Sequence, residues 1–282
     1  MKLATLLAFG LLPLSHFTQS SSGLQADPPK ICGACDEWNQ PRAGQKVFGN
    51  TYTVGTAGLS AVLVTSPDGH ILLDAGLTQS APLVDRNIRA LGFKTADVRY
   101  ILTSHGHYDH VGGVAAIQRA SGARVMGSAS TAQALASGEN TPDDPQFGFG
   151  RAANAFPSVQ NVQVVRDGEI VRLGELAVTA HLIPGHAPGS TAWTWRSCEG
   201  ATCRNVVYAD SLTSPSADGF RYSDNPTRVA AFRKSIDTIA ALPCDILLAP
   251  HPSFAEGKTC QSYAQQGRAM LEARLARERV KQ

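Results

Sequence analysis

The stretch His105-Gly106-His107-Tyr108-Asp109-His110 constrains this chain more than any other. It follows the apolar run Val98-Arg99-Tyr100-Ile101-Leu102, which reads as a buried strand. It precedes Val111-Gly112-Gly113-Val114-Ala115-Ala116-Ile117, whose apolar spacing starts a helix running to Arg119. Several potential ligands therefore crowd one turn between a strand end and a helix start, where a rigid sheet positions chemistry well. Imidazoles and a carboxylate packed so closely would invite mutual repulsion once the histidines took up protons. A divalent cation removes the difficulty, because it needs neutral imidazole and ionised carboxylate. In an extended turn His105 and His107 can face one ion, while Asp109 and His110 turn towards a neighbouring one. These ligand types suit zinc, and by type alone they also admit iron or manganese. A solvated, histidine-rich surface loop is the plainer alternative, but motif, strand and helix context together argue against it.

Two other segments deliver a histidine at a strand exit. In Ile183-Pro184-Gly185-His186-Ala187-Pro188-Gly189-Ser190, His186 sits between Pro-Gly pairs that fix its backbone, as a lone distant ligand needs. Asp245-Ile246-Leu247-Leu248-Ala249 reads as a short buried strand that runs into Pro250-His251-Pro252. A further strand, Asn205 to Ala209, ends in the polar group Asp210-Ser211-Leu212-Thr213. His181 lies inside a strand, where a hydrogen-bonded structural role is expected, and His70 adjoins the Pro67-Asp68-Gly69 turn and is expected in solvent. Asp74 closes the strand that begins at His70. It either orients the His105 loop or simply caps a turn.

Elsewhere the pattern alternates strands and helices. Strands are expected at Val47 to Val54, Ser60 to Thr65, Val162 to Leu173, Leu176 to Ile183 and Thr191 to Trp195. Helices are expected at Ala81 to Leu91, Thr131 to Ser137, from Pro226 after Asn225, and from Gln261 to Lys281 with Tyr263, Met270, Leu271 and Leu275 inward. Asn140 to Gly150 is polar and rich in Gly and Pro; a loop of this length suits the rim of a site. The order suits an α/β fold of two sheets packed together with helices outside.

With 282 residues and 43% hydrophobic content the chain can bury a substantial core. A formal charge of +2, with no basic cluster in the body, leaves no footprint for nucleic acid or an anionic membrane. Residues 1–26 read as an export signal: Lys2, an apolar run from Leu3 to Leu12, Pro13, a serine run, and a cleavage site near Ala26. The run is too short for a span of about twenty residues. The expected mature unit is 27–282. Its six cysteines suit an oxidising compartment. Cys198 and Cys203 flank a short turn and could staple a hairpin. Cys244 and Cys260 bracket His251, and Cys32-Gly33-Ala34-Cys35 is expected to be structural; the sequence leaves the pairing itself open.

Together the His105 loop, Pro184-Gly185-His186, Asp210-Ser211 and Pro250-His251 resemble the metallo-β-lactamase superfamily, with the motifs in the same order from about Val47 to the C-terminus. The first-ligand His105, the stretch Tyr208-Ala209-Asp210-Ser211-Leu212 and the Cys244/Cys260 pair resemble its subclass B3 more narrowly. The resemblance implies a four-layer αβ/βα sandwich of two mixed sheets with outer helices. It implies two zinc ions per chain, one held by His105, His107 and His186, the other by Asp109, His110 and His251. Asp109 would also orient the attacking water, Ser211 would contact water or substrate, and Thr213 would meet the substrate carboxylate. The implied activity is hydrolysis of penicillins, cephalosporins and carbapenems by a periplasmic, monomeric enzyme that confers antibiotic resistance, without nucleic-acid or membrane partners. A glyoxalase-II-like thioesterase or lactonase of the same fold is the alternative, and a non-catalytic zinc store is a third. No Gly-x-Ser-x-Gly or Ser-x-x-Lys with its supporting motifs offers a serine route.

Overall fold

A computed structural model describes residues 24–280. Most of the expected export signal, residues 1–23, lies outside the described residues, as does Lys281. No helix among the described residues is long and apolar enough to cross a membrane.

The strands are β1 (Gln45–Phe48), β2 (Thr51–Thr53), β3 (Val62–Ser66), β4 (Gly69–Leu73), β5 (Val98–Leu102), β6 (Arg124–Gly127), β7 (Gln163–Val164), β8 (Ile170–Leu173), β9 (Leu176–Leu182), β10 (Thr191–Glu199), β11 (Thr202–Tyr208) and β12 (Ile246–Leu248). The first sheet runs in the order β1 to β7, antiparallel as far as β4 and parallel from there on. The second runs β12-β11-β10-β9-β8, with only the β11–β12 pair parallel.

Both faces of the central strands are buried, so these strands read as unbroken apolar runs. Val62, Val64, Ile71 and Leu73 point into the layer between the sheets and meet Val178, Trp193, Trp195 and Tyr208. Their neighbours Leu63 and Leu72 point the other way, onto α2 (Ala81–Ala90) and α4 (Val114–Ser121). On the far side α7 (Pro226–Ala241) and α9 (Cys260–Val280) cover the second sheet through Phe232, Ile236, Leu271 and Leu275. Helices thus flank two stacked sheets, which is the expected four-layer sandwich.

Several details depart from the sequence reading. Val162 to Leu173 is two strands in different sheets, because the chain crosses over at Asp167-Gly168, where Gly168 takes φ +75°. The helix after the histidine motif begins earlier, with a short turn α3 (Tyr108–Val111). It breaks at Gly112-Gly113, where a Cβ would strike the backbone at Leu77, Thr78 and Ala75. His70 is buried rather than solvated, packed edge-on against Phe93 at 5.1 Å. Met270 is only half-buried, and β12 is a half-buried edge strand rather than a fully buried one. Disulfides join Cys32–Cys35, Cys198–Cys203 across the β10–β11 turn, and Cys244–Cys260 around the His251 segment.

Candidate metal centre

The loops after β5, β9, β11 and β12 meet at one edge of the sandwich. Trp193 Nε1 donates to the Thr103 carbonyl at 3.0 Å and Thr191 N to the Ser104 carbonyl at 2.8 Å, so β10 clamps the histidine loop from the second sheet. From below, Asp74 holds the same loop. It is fully buried, adopts φ +57°, and accepts bonds from Ser104 N (2.8 Å), Ser104 Oγ (2.6 Å) and Tyr208 Oη (2.8 Å). A non-glycine residue in that backbone region is uncommon and persists only where its surroundings over-determine it. Of the two sequence readings of Asp74, orientation of the loop is the one its bonds support.

On this frame the ligand atoms of His105, His107 and His186 lie within 4.8 Å of one another, and so do those of Asp109, His110 and His251. The two groups adjoin: the His105 and His110 ring centroids are 4.5 Å apart. Asp109 Oδ2 lies 3.1 Å from His110 Nε2 and 3.3 Å from His251 Nε2.

Each histidine of the first group is aimed by a partner on its far nitrogen. Asp210 Oδ1 lies 2.8 Å from His105 Nδ1, Asp144 Oδ2 lies 2.9 Å from His107 Nε2, and the Thr213 carbonyl lies 3.0 Å from His186 Nδ1. The nitrogens left facing the centre are His105 Nε2, His107 Nδ1 and His186 Nε2. Metal-ligating histidines commonly have such outer partners, which set tautomer and ring orientation. His105 Nε2 is buried with no hydrogen-bond partner, a costly arrangement unless something else satisfies it. A cation would, and the donor set of imidazoles with one carboxylate suits zinc.

Protonation points mostly the same way. Burial, reinforced by neighbouring histidines, pushes His105 well below the usual imidazole range and His186 down to about 3. Burial works against ionised Asp109, but His110 and His251 outweigh it and hold the carboxyl well below its ordinary value. Neutral imidazole and ionised carboxylate are the forms a metal binds. His107 and His110 run the other way. Burial lowers both, yet Asp144 raises His107 and Asp109 carries His110 to about 9. A divalent charge at the centre would invert that local balance.

The centre forms the floor of a cleft of about 670 Å³, walled by Trp38, Tyr108, Gln146, Ser211, Thr213 and Phe254. Of the sequence-predicted residues, His107, Asp109, His186, Ser211, Thr213 and His251 line the cleft, and His105 and His110 lie in the two ligand groups beneath it. Asp210 and Ser211 separate by role: Asp210 is fully buried behind His105, while Ser211 lies at the cleft surface. His181 turns away and pairs with Thr194 Oγ1 at 2.8 Å. The sequence reading missed Asp144, hidden in the loop assigned to the rim, and Trp38, whose ring lies 5.2 Å from that of His251. The only advance signal for Trp38 was its closeness to the Cys32–Cys35 pair.

The family model of the metallo-beta-lactamase superfamily matches residues 55–199. The chain belongs to that superfamily. Among solved structures it resembles MEM-A1, a subclass B3 metallo-beta-lactamase isolated from a soil metagenome library. The two share 43% identity at a TM-score of 0.83, over 87% of this chain and 100% of that one. MIM-1 from Novosphingobium pentaromativorans is 45% identical at a TM-score of 0.82, over 86% and 93% of the two chains. A hydroxyacylglutathione hydrolase of Anaeromyxobacter dehalogenans (strain 2CP-C) is 33% identical over 132 residues, 47% of this chain and 40% of that protein. The chain thus spans less than half the length of this curated superfamily relative.

Proposed function

We propose that this chain is an exported dizinc β-lactamase that opens the lactam ring of penicillins, cephalosporins and carbapenems and thereby confers antibiotic resistance. The observation that carries the reading is the convergence of two adjoining three-residue ligand groups on one cleft floor. Residues 27–282 act as one catalytic unit, monomeric and periplasmic. In this reading His105, His107 and His186 hold one zinc, and Asp109, His110 and His251 hold the other. When bound, zinc supplies Lewis acidity, polarising a carbonyl and making water nucleophilic near neutral pH.

The chain's own groups do the rest. Asp109 Oδ2 converges with His110 Nε2 and His251 Nε2, where it would face the second ion, and the other carboxylate oxygen is left to orient the attacking water. Asp210, Asp144 and the Thr213 carbonyl hold the three imidazoles rigid, so no reorganisation is needed as charge develops. Ser211 and the Thr213 hydroxyl, on the cleft wall, receive the substrate carboxylate and fix the ring over the centre. The water oxygen bonds to the carbonyl carbon, the C–N bond breaks, and the nitrogen takes the proton the water gives up. No side chain becomes acylated.

A thioesterase reading draws on the likeness to the hydroxyacylglutathione hydrolase. Direct competition decides between them. Purified protein should turn over a carbapenem and leave a glutathione thioester nearly untouched. The reverse preference would overturn the lactamase assignment.

A further inference from the structure

Behind the cleft lies a second cavity, of about 340 Å³, that the hydrolytic reading does not use. It opens where β2 of the first sheet approaches edge strand β12 of the second, and Thr53, Leu247 and Leu248 line it. Its floor is apolar, formed by Leu247, Leu248, Ala249, Pro252 and Ala255, and its wall is polar, formed by Thr53, Thr56 and Ser60. Arg42 and Lys258 stand at its rim, against one acid, Glu256. Among the described residues neither cation has a carboxylate within ion-pairing distance. An apolar floor under two uncommitted cations is the complement of a molecule with a greasy body and a negative end.

Two of its walls belong to the cleft as well. The segment 55–60 presents Gly55, Thr56 and Ser60 to this cavity and Ala57 and Gly58 to the cleft. The segment 247–258 presents Pro252 and Ala255 here, and His251, Ser253 and Phe254 there. Ser60 joins the segments, donating from N to the Pro250 carbonyl and from Oγ to the Ala249 carbonyl, both at 2.7 Å. The Thr56 hydroxyl donates to the Trp38 carbonyl at 2.6 Å.

We propose that this second cavity is a binding site for a small amphipathic carboxylate, its apolar body on Leu247, Leu248 and Ala255 and its charged end between Arg42 and Lys258. Octanoate, an apolar chain ending in one carboxylate, represents that chemistry. The site is built independently of the reaction in the cleft, and a ligand in it would bear on the backbone that carries His251.

The test is an amide-shift titration of the zinc-loaded, isotope-labelled protein with octanoate, repeated with octanamide and on the double variant Arg42→Glu/Lys258→Glu. The variant changes exposed Arg42 and half-buried Lys258 at the rim and keeps the apolar floor, and its spectrum reports folding directly. Saturable shifts at Thr53, Ser60, Leu248, Ala249 and Lys258 are expected. Octanoate should bind at least about tenfold more weakly to the variant, while octanamide should bind both proteins alike. Three outcomes would each overturn the proposal: no saturation by about 10 mM, shifts confined to Asp109, Ser211 and Thr213, or octanoate binding indifferent to the charge reversal.

Discussion

Asp210 touches neither solvent nor the cleft surface, yet its Oδ1 lies 2.8 Å from His105 Nδ1, and Tyr263 Oη holds its own backbone carbonyl at 2.9 Å. A carboxylate behind a ligand fixes ring orientation and raises ligand basicity. Asp210→Ala should therefore weaken zinc binding by about 10–100-fold while the fold survives, as competition against a chromophoric chelator would measure. Zinc affinity equal to that of the parent protein would show the contact to be idle. His251→Ala should lower zinc content from two ions per chain towards one, read by elemental analysis of the purified variant. Two fully bound ions in it would contradict the assignment of Asp109, His110 and His251. The residues proposed as ligands could be picked out in the sequence because they are contiguous or are punctuated by Pro and Gly at strand exits. Asp144 was not, since an outer carboxylate obeys no spacing rule and is found only when the loop from Asn140 folds over His107.

At the scale of elements, the His186 turn depends on close packing against α7. A Cβ on Gly185 would overlap the Phe232 ring, and Ser235 Oγ donates to the Pro184 carbonyl at 2.8 Å. Gly185→Ala must push the turn away from α7 and carry His186 with it. The expected cost is about 1–3 kcal/mol in stability, read by denaturant unfolding, together with lower turnover. The periodicity that announced β5, α2, α7 and α9 reports what a segment buries. It does not report which sheet a strand joins. Hence Val162 to Leu173 looked like one strand, although Gly168 sends its halves to opposite layers. His70 was misplaced for a similar reason: turn residues nearby suggest solvent, whereas Phe93 comes from beyond α2 to cover it.

Over the whole molecule, the C-terminal helix is tied back to the segment before α7 through Glu278. Its carboxylate accepts from Tyr222 N at 3.2 Å and Ser223 N at 2.7 Å and pairs with Arg274. Burial works to raise its pKa, but these bonds prevail and hold it below the ordinary 4.5. A depressed carboxylate contributes stability that is fully present above its unfolded value and is lost as pH falls through the folded one. Glu278→Gln should cost about 1–3 kcal/mol at neutral pH and flatten the loss of stability below pH 4.5, as unfolding at a series of pH values would show. A parallel loss at every pH would assign the effect to packing alone.

In the proposed enzyme, two ligand groups on one cleft floor hold two ions that work together. Zinc titration into chelator-stripped protein, with carbapenem turnover followed at each addition, tests it most directly. Turnover should be absent without metal, return with added zinc, and reach its plateau at two equivalents per chain. Turnover that persists in the stripped protein, or zinc that binds without restoring it, would contradict the account.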